Sequence, residues 1–462
     1  MLGRIFSVFL FFVAGLACAG HDYDFDVTKF GARGDGVADD APAIQKALDA
    51  AQVNGGCVYF PTGRYRLKKT LEISGVSSAE KNVNWVTLRG CGAGSKLLGD
   101  GIPFILAGRP NPGSAKPWMN GARVEHLTFS SFDEKKRCSG IDMGLMLRVF
   151  VNSCNFLRLK SGLVSTLELT PHKDPTKKQG HAIWIVRIDG CNLSDNSDFA
   201  VNIRRAFDIS VTNNIMENGA GGIQIGFIED AKDAACCALR IENNVIEGLR
   251  GKDKPAIRLC CVVGGQITGN YFEANPGGDI EIVPGKGGWV RGFVIASNTF
   301  QPTAKQRAGD YGPIRVEKAF DLTVCNNFTS GPRLLHSKCR QLGRNVLVFG
   351  NAINNPPSIG FDGATEEERK KYARLEAADA LNRNRIVLAG KAGHTGIDSR
   401  RGIVFGKNTI SYGNAPAEEG NAGDVIFSRN PEMKDGRAII GWYCAAGGRP
   451  ARWLPISIAA EK

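Results

Sequence analysis

The chain has 462 residues, 43% hydrophobic and 23% charged, with 58 Lys+Arg against 46 Asp+Glu and a formal net charge of +12. That composition excludes a disulfide-stapled mini-protein and wholesale disorder, and leaves either two or three domains or one elongated solenoid. Fifty-seven glycines and 24 phenylalanines against 6 methionines favour turns and β structure over helix bundles.

Met1-Leu2-Gly3-Arg4 and the apolar residues 5–16 read as a signal peptide, with Ala17-Cys18-Ala19 as its small-residue cleavage site. Gly20 is then the expected mature N-terminus, and the protein is expected to be secreted or periplasmic. The apolar run is too short to span a bilayer, and no other stretch approaches eighteen apolar residues. In an exported chain the basic balance suits polyanions, or simply solubility. Twelve cysteines remain after cleavage, an even number in a disulfide-permissive compartment. Several, among them Cys154, Cys191 and Cys325, fall in strand-like runs where buried thiols pack as small apolar groups. There is no CxxC pair to support a zinc cluster.

Next comes Phe30-Gly31-Ala32-Arg33-Gly34-Asp35-Gly36, then Asp39-Asp40-Ala41-Pro42 and a predicted helix with Ile44, Ala47, Leu48 and Ala51 on one face. Asp40 is the expected N-cap, with Pro42 in the first turn. Gly55-Gly56-Cys57-Val58-Tyr59-Phe60-Pro61 follows as a turn and strand. An amphipathic helix placed there would cover the open end of a sheet stack.

From about residue 122 one phrase returns: apolar alternation, an asparagine, then bulky apolar residues. The asparagines are Asn155, Asn192, Asn214, Asn244, Asn270, Asn298, Asn327 and Asn351, at intervals of 37, 22, 30, 26, 28, 29 and 24 residues, with a late copy at Asn408. A near-constant minimum with variable excess means one coil per asparagine plus insertions at the corners. Asparagine tolerates left-handed backbone, and stacked amides can hydrogen-bond from coil to coil. Strands alternating on both sides then predict a parallel β-helix. A propeller would need more residues per unit and a leucine-rich repeat a helical half.

A second phrase recurs as Ala200-Val201-Asn202-Ile203, Gly222-Ile223-Gln224-Ile225, Ala256-Ile257-Arg258-Leu259, Asp279-Ile280-Glu281-Ile282 and Pro313-Ile314-Arg315-Val316. The aliphatic pair points inward, so Asn202, Gln224, Arg258, Glu281 and Arg315 form an outward column, one per ~4.8 Å coil. Beyond the coils, residues 365–382 read as a charged helical stretch. A tail with Phe427, Trp442, Tyr443 and Trp453 reads as a small β-module whose aromatics suit its core better than sugar faces. The expected division is a signal peptide (1–19), an N-terminal cap with first coils (20–121), β-helix coils (122–353), a helical insertion with the last coil (354–420) and the module (421–462).

The opening from Phe30 to Asp40, with Ala43-Ile44-Gln45 and Val58-Tyr59-Phe60-Pro61-Thr62-Gly63-Arg64-Tyr65, resembles the start of the pectate-lyase-like superfamily. The nearest branch holds rhamnogalacturonase- and epimerase-like domains and phage tailspikes. The resemblance implies an all-β, right-handed parallel β-helix and carbohydrate chemistry, without fixing the reaction. Tailspike relatives often form trimers, so monomer and homotrimer both stay open. The polygalacturonase residues, the Arg-x-Pro-x-x-Arg of pectate lyases and the Asp-Pro-His-Asp of alginate epimerases are missing; Gly180-His181-Ala182, Gly393-His394-Thr395 and Pro171-His172-Lys173-Asp174 do not replace them.

On the outward column, elimination from a uronate needs a cation for the carboxylate and a base for the C5 proton. Arg258 and Arg315 flank Glu281, with Arg204, Asp279 and Glu317 nearby, and His336 on the next coil is an ordinary base candidate. Asn202 and Gln224 extend the same face toward substrate. The plain alternative is a charge ladder on a solvated sheet, each pair contributing about 0.2–1 kcal/mol. Hydrolysis would instead need two carboxylates about 5–5.5 Å or 6.5–9.5 Å apart, for which Asp195 and Asp198 could partner Glu281 or Asp279. The acidic residues 229–233 are a candidate Ca2+ loop without EF-hand spacing, so a solvated loop is preferred and no metal ligand is assigned. The leading reading is a polysaccharide lyase or C5-epimerase on an anionic glycan. A glycoside hydrolase and a non-catalytic polysaccharide-binding or assembly factor are the alternatives. Nucleic acid is not expected as a partner, for want of an aromatic-basic motif.

Overall fold

The computed structural model describes residues 24–74, 85–101, 105–109, 121–165 (except 145 and 147), 183–227, 236–284, 290–308, 311–331 and, in shorter stretches, 334–459. The expected signal peptide, the acidic residues 229–233, His336 and the expected helix at 365–382 lie outside the described residues.

Three parallel sheets wind around one apolar core. The first runs Asp24–Asp26, Gly56–Tyr59, Trp85–Arg89, Gly121–Glu125, Arg148–Asn152, Ile185–Asp189, Phe207–Thr212, Cys236–Glu242, Val262–Thr268, Val290–Ala296, Lys318–Cys325 and Val346–Phe349. The second is narrow, with two or three residues in most of its strands, and includes Ile215–Glu217, Val245–Glu247, Tyr271–Glu273 and Thr299–Gln301. The third includes Leu163–Ser165, Phe199–Ile203, Gly221–Ile225, Ile257–Cys260, Ile280–Val283 and Ile314–Val316. Non-consecutive strands pair in parallel from coil to coil, one strand per coil, which makes a parallel β-helix; only Val387–Ala389, the last described strand of the first sheet, pairs antiparallel, with Val346–Phe349.

The period-2 pattern in the sequence becomes columns of similar apolar residues. Val151, Ile188, Val211, Ile241, Ile267, Ile295 and Val324 are in register on the first sheet and shielded from solvent. In the second sheet Phe129 stacks on Phe156 at 4.8 Å and Phe272 on Phe300 at 5.0 Å. Each such ring buries about 150–250 Å² on folding, so these columns dominate cohesion between coils.

The asparagine ladder forms, one residue out of step with the sequence reading at its start. The Nδ2 of Asn214, Asn244, Asn270, Asn298 and Asn327 each donates to Oδ1 of the next asparagine at 2.9 Å, ending on Asn351. Asn155 and Asn192 are not rungs: Asn192 bridges to Ile215, the residue after the rung. Cys154 and Cys191 hold the rung positions instead, with the Cys154 N–H directed to Cys191 Sγ and the Cys191 N–H to Asn214 Oδ1. The left-handed backbone falls one residue earlier, at Ser153, Gly190, Asn213, Asn243, Gly269, Ser297 and Asn326. The repeated Asn-Asn pair therefore divides two tasks, bending the chain and satisfying buried backbone groups.

The helix Ala41–Asn54 caps the first coil, and Ile44, Ala47, Leu48 and Ala51 are buried as expected. Asp40 precedes it but makes no side-chain capping bond to it. Its carboxylate instead accepts the N–H groups of Arg33 and Gly34, because the Phe30–Gly36 loop folds over the helix start. Asp39 accepts the Ala41 N–H in its place.

At the far end, Gly396–Asp398, Gly402–Phe405, Asn408–Gly413, Val425–Lys434, Arg437–Ala446 and Arg452–Ala459 form one separate sheet. The late asparagine phrase belongs here and not to a coil. Phe405 pairs with Asn408 and Val404 with Thr409 antiparallel, the register of a two-residue hairpin. No helix among the described residues is long and apolar enough to cross a membrane. The described residues include eleven cysteines, most of them buried.

Candidate functional site

The third sheet builds the expected column. Register pairs Asn202 with Gln224, Gln224 with Arg258, Arg258 with Glu281 and Glu281 with Arg315. Flanking aliphatic residues such as Ile223, Ile257, Ile280 and Ile314 are buried, so these five side chains must stand on the outer face.

Glu281 is the hub. Arg258 Nε donates to its Oε2 at 2.6 Å, and Arg315 Nη1 to its Oε1 at 3.0 Å. Arg315 Nη2 also donates to Glu317 Oε1 at 2.6 Å, and Arg258 Nη2 to the Asp253 carbonyl at 2.6 Å. The arginines are thus fixed by a carboxylate that is itself only 13% exposed, whereas Arg315 remains 40% exposed. Two polar atoms of the column, Asn202 Oδ1 and Arg315 Nε, are buried without a hydrogen-bond partner. The Arg258 guanidinium also lies 5.4 Å over the Phe199 ring.

A cleft of about 280 Å³ opens beside Glu281 and Arg315, lined further by Gln306, Tyr311, Pro276 and Pro313. Its rim needs glycine: a Cβ on Gly277 would meet the Lys254 carbonyl oxygen at 2.3 Å. Behind the cleft wall lies Asp279, shielded from solvent in the register of Ala256 and Pro313. The Tyr311 hydroxyl donates to its Oδ2, and Asn275 Nδ2 to its Oδ1 at 2.9 Å. Burial pushes the Asp279 carboxyl up to about 7, against the pull of those two donors. Burial and the Asp279 charge push the Tyr311 phenol well above its usual value.

Other predicted residues fall elsewhere. Asp198 is held by Lys254 at 2.5 Å and by the Phe199 N–H. Asp195 sits in a left-handed turn, its carbonyl accepting from Arg137 and its carboxylate 3.8 Å from Arg250. Arg204 leaves the strand end and lies 5.5 Å over Phe227. None of these bonds joins Asp195 or Asp198 to Glu281 or Asp279. Among the described residues no cluster of three or more His, Cys, Asp or Glu side chains could hold a metal ion.

Tyr311 and Gln306 were missed because they lie in the corner between the second and third sheets, where the coil pattern is silent. Asp279 did leave a signal of its burial. It interrupts a column of Ala200, Gly222, Ala256 and Pro313, in which a charge has no place without buried partners.

Residues 25–96 match the family model described as rhamnogalacturonase A/epimerase, pectate lyase-like. That segment carries the pectate-lyase-like match, and the coils that follow it form a parallel β-helix. Among curated relatives, mannuronan C5-epimerase AlgE1 of Azotobacter vinelandii is 46% identical over 77 residues, 16% of this chain and 5% of the epimerase. Plasmin and fibronectin-binding protein A of Streptococcus pneumoniae is 41% identical over 189 residues, 38% of this chain and 24% of that protein. The chain thus spans a minor part of each of these relatives' length. Its fold is shared with the tailspike protein of Acinetobacter baumannii phage AM24, at a TM-score of 0.54 and 17% identity, covering 74% of this chain and 55% of the tailspike.

Proposed function

We propose that the chain modifies an acidic polysaccharide bound along the outer face of the third sheet, by abstraction of the C5 proton of a uronate, as a lyase or C5-epimerase. The observation that carries this reading is the cleft lined by both Arg315, fixed by Glu281, and Tyr311, whose hydroxyl donates to the buried Asp279. Removing the C5 proton turns C5 and its carboxylate into an enolate-like dianion, so a cation held in place lowers the barrier. Arg315 has that role, with Glu281 orienting it and Arg258 securing Glu281 from the other side. As the C5 proton moves to Tyr311 Oη, the phenolic proton moves to Asp279, whose carboxyl titrates near neutral pH as a general base should. In elimination the C5–H electrons become the C4–C5 double bond, and the C4–O bond breaks with its electron pair on the departing oxygen, which takes a proton from water. In epimerisation water returns a proton to the opposite face, and Asp279 gives its proton back to solvent. The name of the epimerase relative supports C5 chemistry.

The test follows exchange of the C5 hydrogen with deuterium oxide by proton NMR, together with ultraviolet absorbance of unsaturated ends, on polymannuronate, polygalacturonate and dextran. Exchange on an acidic polymer, reduced about 10²–10⁴-fold in Tyr311→Phe, is expected. New reducing ends without unsaturation or exchange would instead establish hydrolysis. Binding with no product would make the chain a polysaccharide-binding protein, with Arg258, Glu281 and Arg315 as a recognition surface.

A further inference from the structure

The outer face of the first sheet, away from the cleft, carries aromatic rings among arginines. Trp85 stacks on Phe150 at 5.6 Å with an interplanar angle of 24°. The stack closes over Gly121, where an added Cβ would lie 2.9 Å from the Trp85 ring. The Arg123 guanidinium lies 5.5 Å over Phe150. Trp184, next to Ile185, which pairs with exposed Arg148, is 61% exposed. An indole left in water forgoes a large apolar gain that a flat partner would supply.

The charges have a period. Arg123, Phe150, Arg187, Ser210 and Arg240 are consecutive in register, so an arginine recurs every second coil, ~10 Å apart. That is about the length of a disaccharide in an extended glycan. Arg148 and Arg240 are exposed, whereas Arg187 is held by Asp208 at 2.7 Å. The flanking acids are engaged within the protein: Glu125 lies 3.8 Å from Arg123, Asp189 accepts from Thr212 and Asn213, and Glu242 accepts from Gln266.

We infer that this face is a second glycan-binding site, which holds an acidic polysaccharide along the helix axis. Trp184 and the Trp85–Phe150 stack meet sugar faces, and the exposed Arg148 and Arg240, three coils apart, meet carboxylates together with Arg123. The site does not rest on the reaction proposed for the cleft, because the sheet faces are different and binding needs no turnover.

The test is affinity electrophoresis of the full chain in gels containing polygalacturonate or dextran, with circular dichroism to confirm folding. Trp184→Ala is expected to weaken retention by polygalacturonate about tenfold, and Trp184→Phe to restore most of it. Arg148→Ala with Arg240→Ala is expected to flatten the salt dependence. Unchanged retention in all three variants would overturn the proposal, as would equal retention by dextran. It also falls if Glu281→Gln abolishes binding while Trp184→Ala does not, which would put the polymer at the cleft alone. Sedimentation showing an oligomer that Trp184→Ala dissociates would make the face a subunit contact and overturn it too.

Discussion

Asn270 and Asn155 look alike in the sequence, each an asparagine after a short apolar run, yet the fold gives them different weights. Asn270 Oδ1 accepts both the backbone N–H and the Nδ2 of Asn244 at 2.9 Å. Its own Nδ2 donates to the Ile241 carbonyl and to Asn298 Oδ1, also at 2.9 Å. Asn270→Ala therefore strands a buried backbone donor and one side-chain donor on Asn244, in a core with 1% exposure at that residue. Each unsatisfied buried group costs about 1–3 kcal/mol, so a loss of about 3–4 kcal/mol is expected. Asn155 is half-buried and gives one bond, to Thr128 Oγ1 at 3.0 Å, so Asn155→Ala should cost less than about 1 kcal/mol. Urea unfolding followed by circular dichroism measures both. Equal losses, or a loss below about 1 kcal/mol at Asn270, would refute the assignment of the rungs.

Cys191→Asn should extend the ladder by one rung, since its amide could donate to Asn214 Oδ1 and to the Val151 carbonyl now faced by the thiol. A gain of about 0.5–1.5 kcal/mol in urea is expected. Glu217, Glu247 and Glu273 are stacked in register on the second sheet. Burial, then the charges of Glu217 and Glu273, raise the Glu247 pKa. Its stabilising proton is fully bound below the unfolded value of 4.5 and is lost as pH rises through the folded value. Glu247→Gln should thus be more stable than the parent at pH 7 by about 0.2–1 kcal/mol, with the difference vanishing in acid, as thermal melts across pH would show. Asp279, at about 7 in the fold against 3.8 unfolded, has the same sign. Asp279→Asn should flatten the pH dependence of stability between those values, measured by urea titration at several pH values.

Most of the architecture was readable because a β-helix repeats its chemistry. A column such as Ile223, Ile257, Ile280 and Ile314 states its own register in the sequence, and the outward side chains between follow by alternation. Two things broke that reading locally. Thiols replaced amides at Cys154 and Cys191, so the asparagine next in line passed for the rung. At Phe405 and Asn408 the same short phrase closed a hairpin, because pairing partners decide what a local motif becomes. The site was readable as far as Arg258, Glu281 and Arg315. Tyr311 was not, since a corner residue has no periodic neighbour, and its meeting with Asp279 depends on the conformation of an insertion.

The rungs are separated by 23 to 30 residues between Cys191 and Asn351, yet the amide bonds from Asn214 onward keep one length. Extra chain is shed at the corners without disturbing the stack. A whole coil is consequently an exchangeable cassette. Excising the 26 residues from Asn244 to just before Asn270 would offer Asn214 an identical acceptor. Lineages carrying such a scaffold can vary corner loops independently of length, and can change length by whole coils, with little cost to the core.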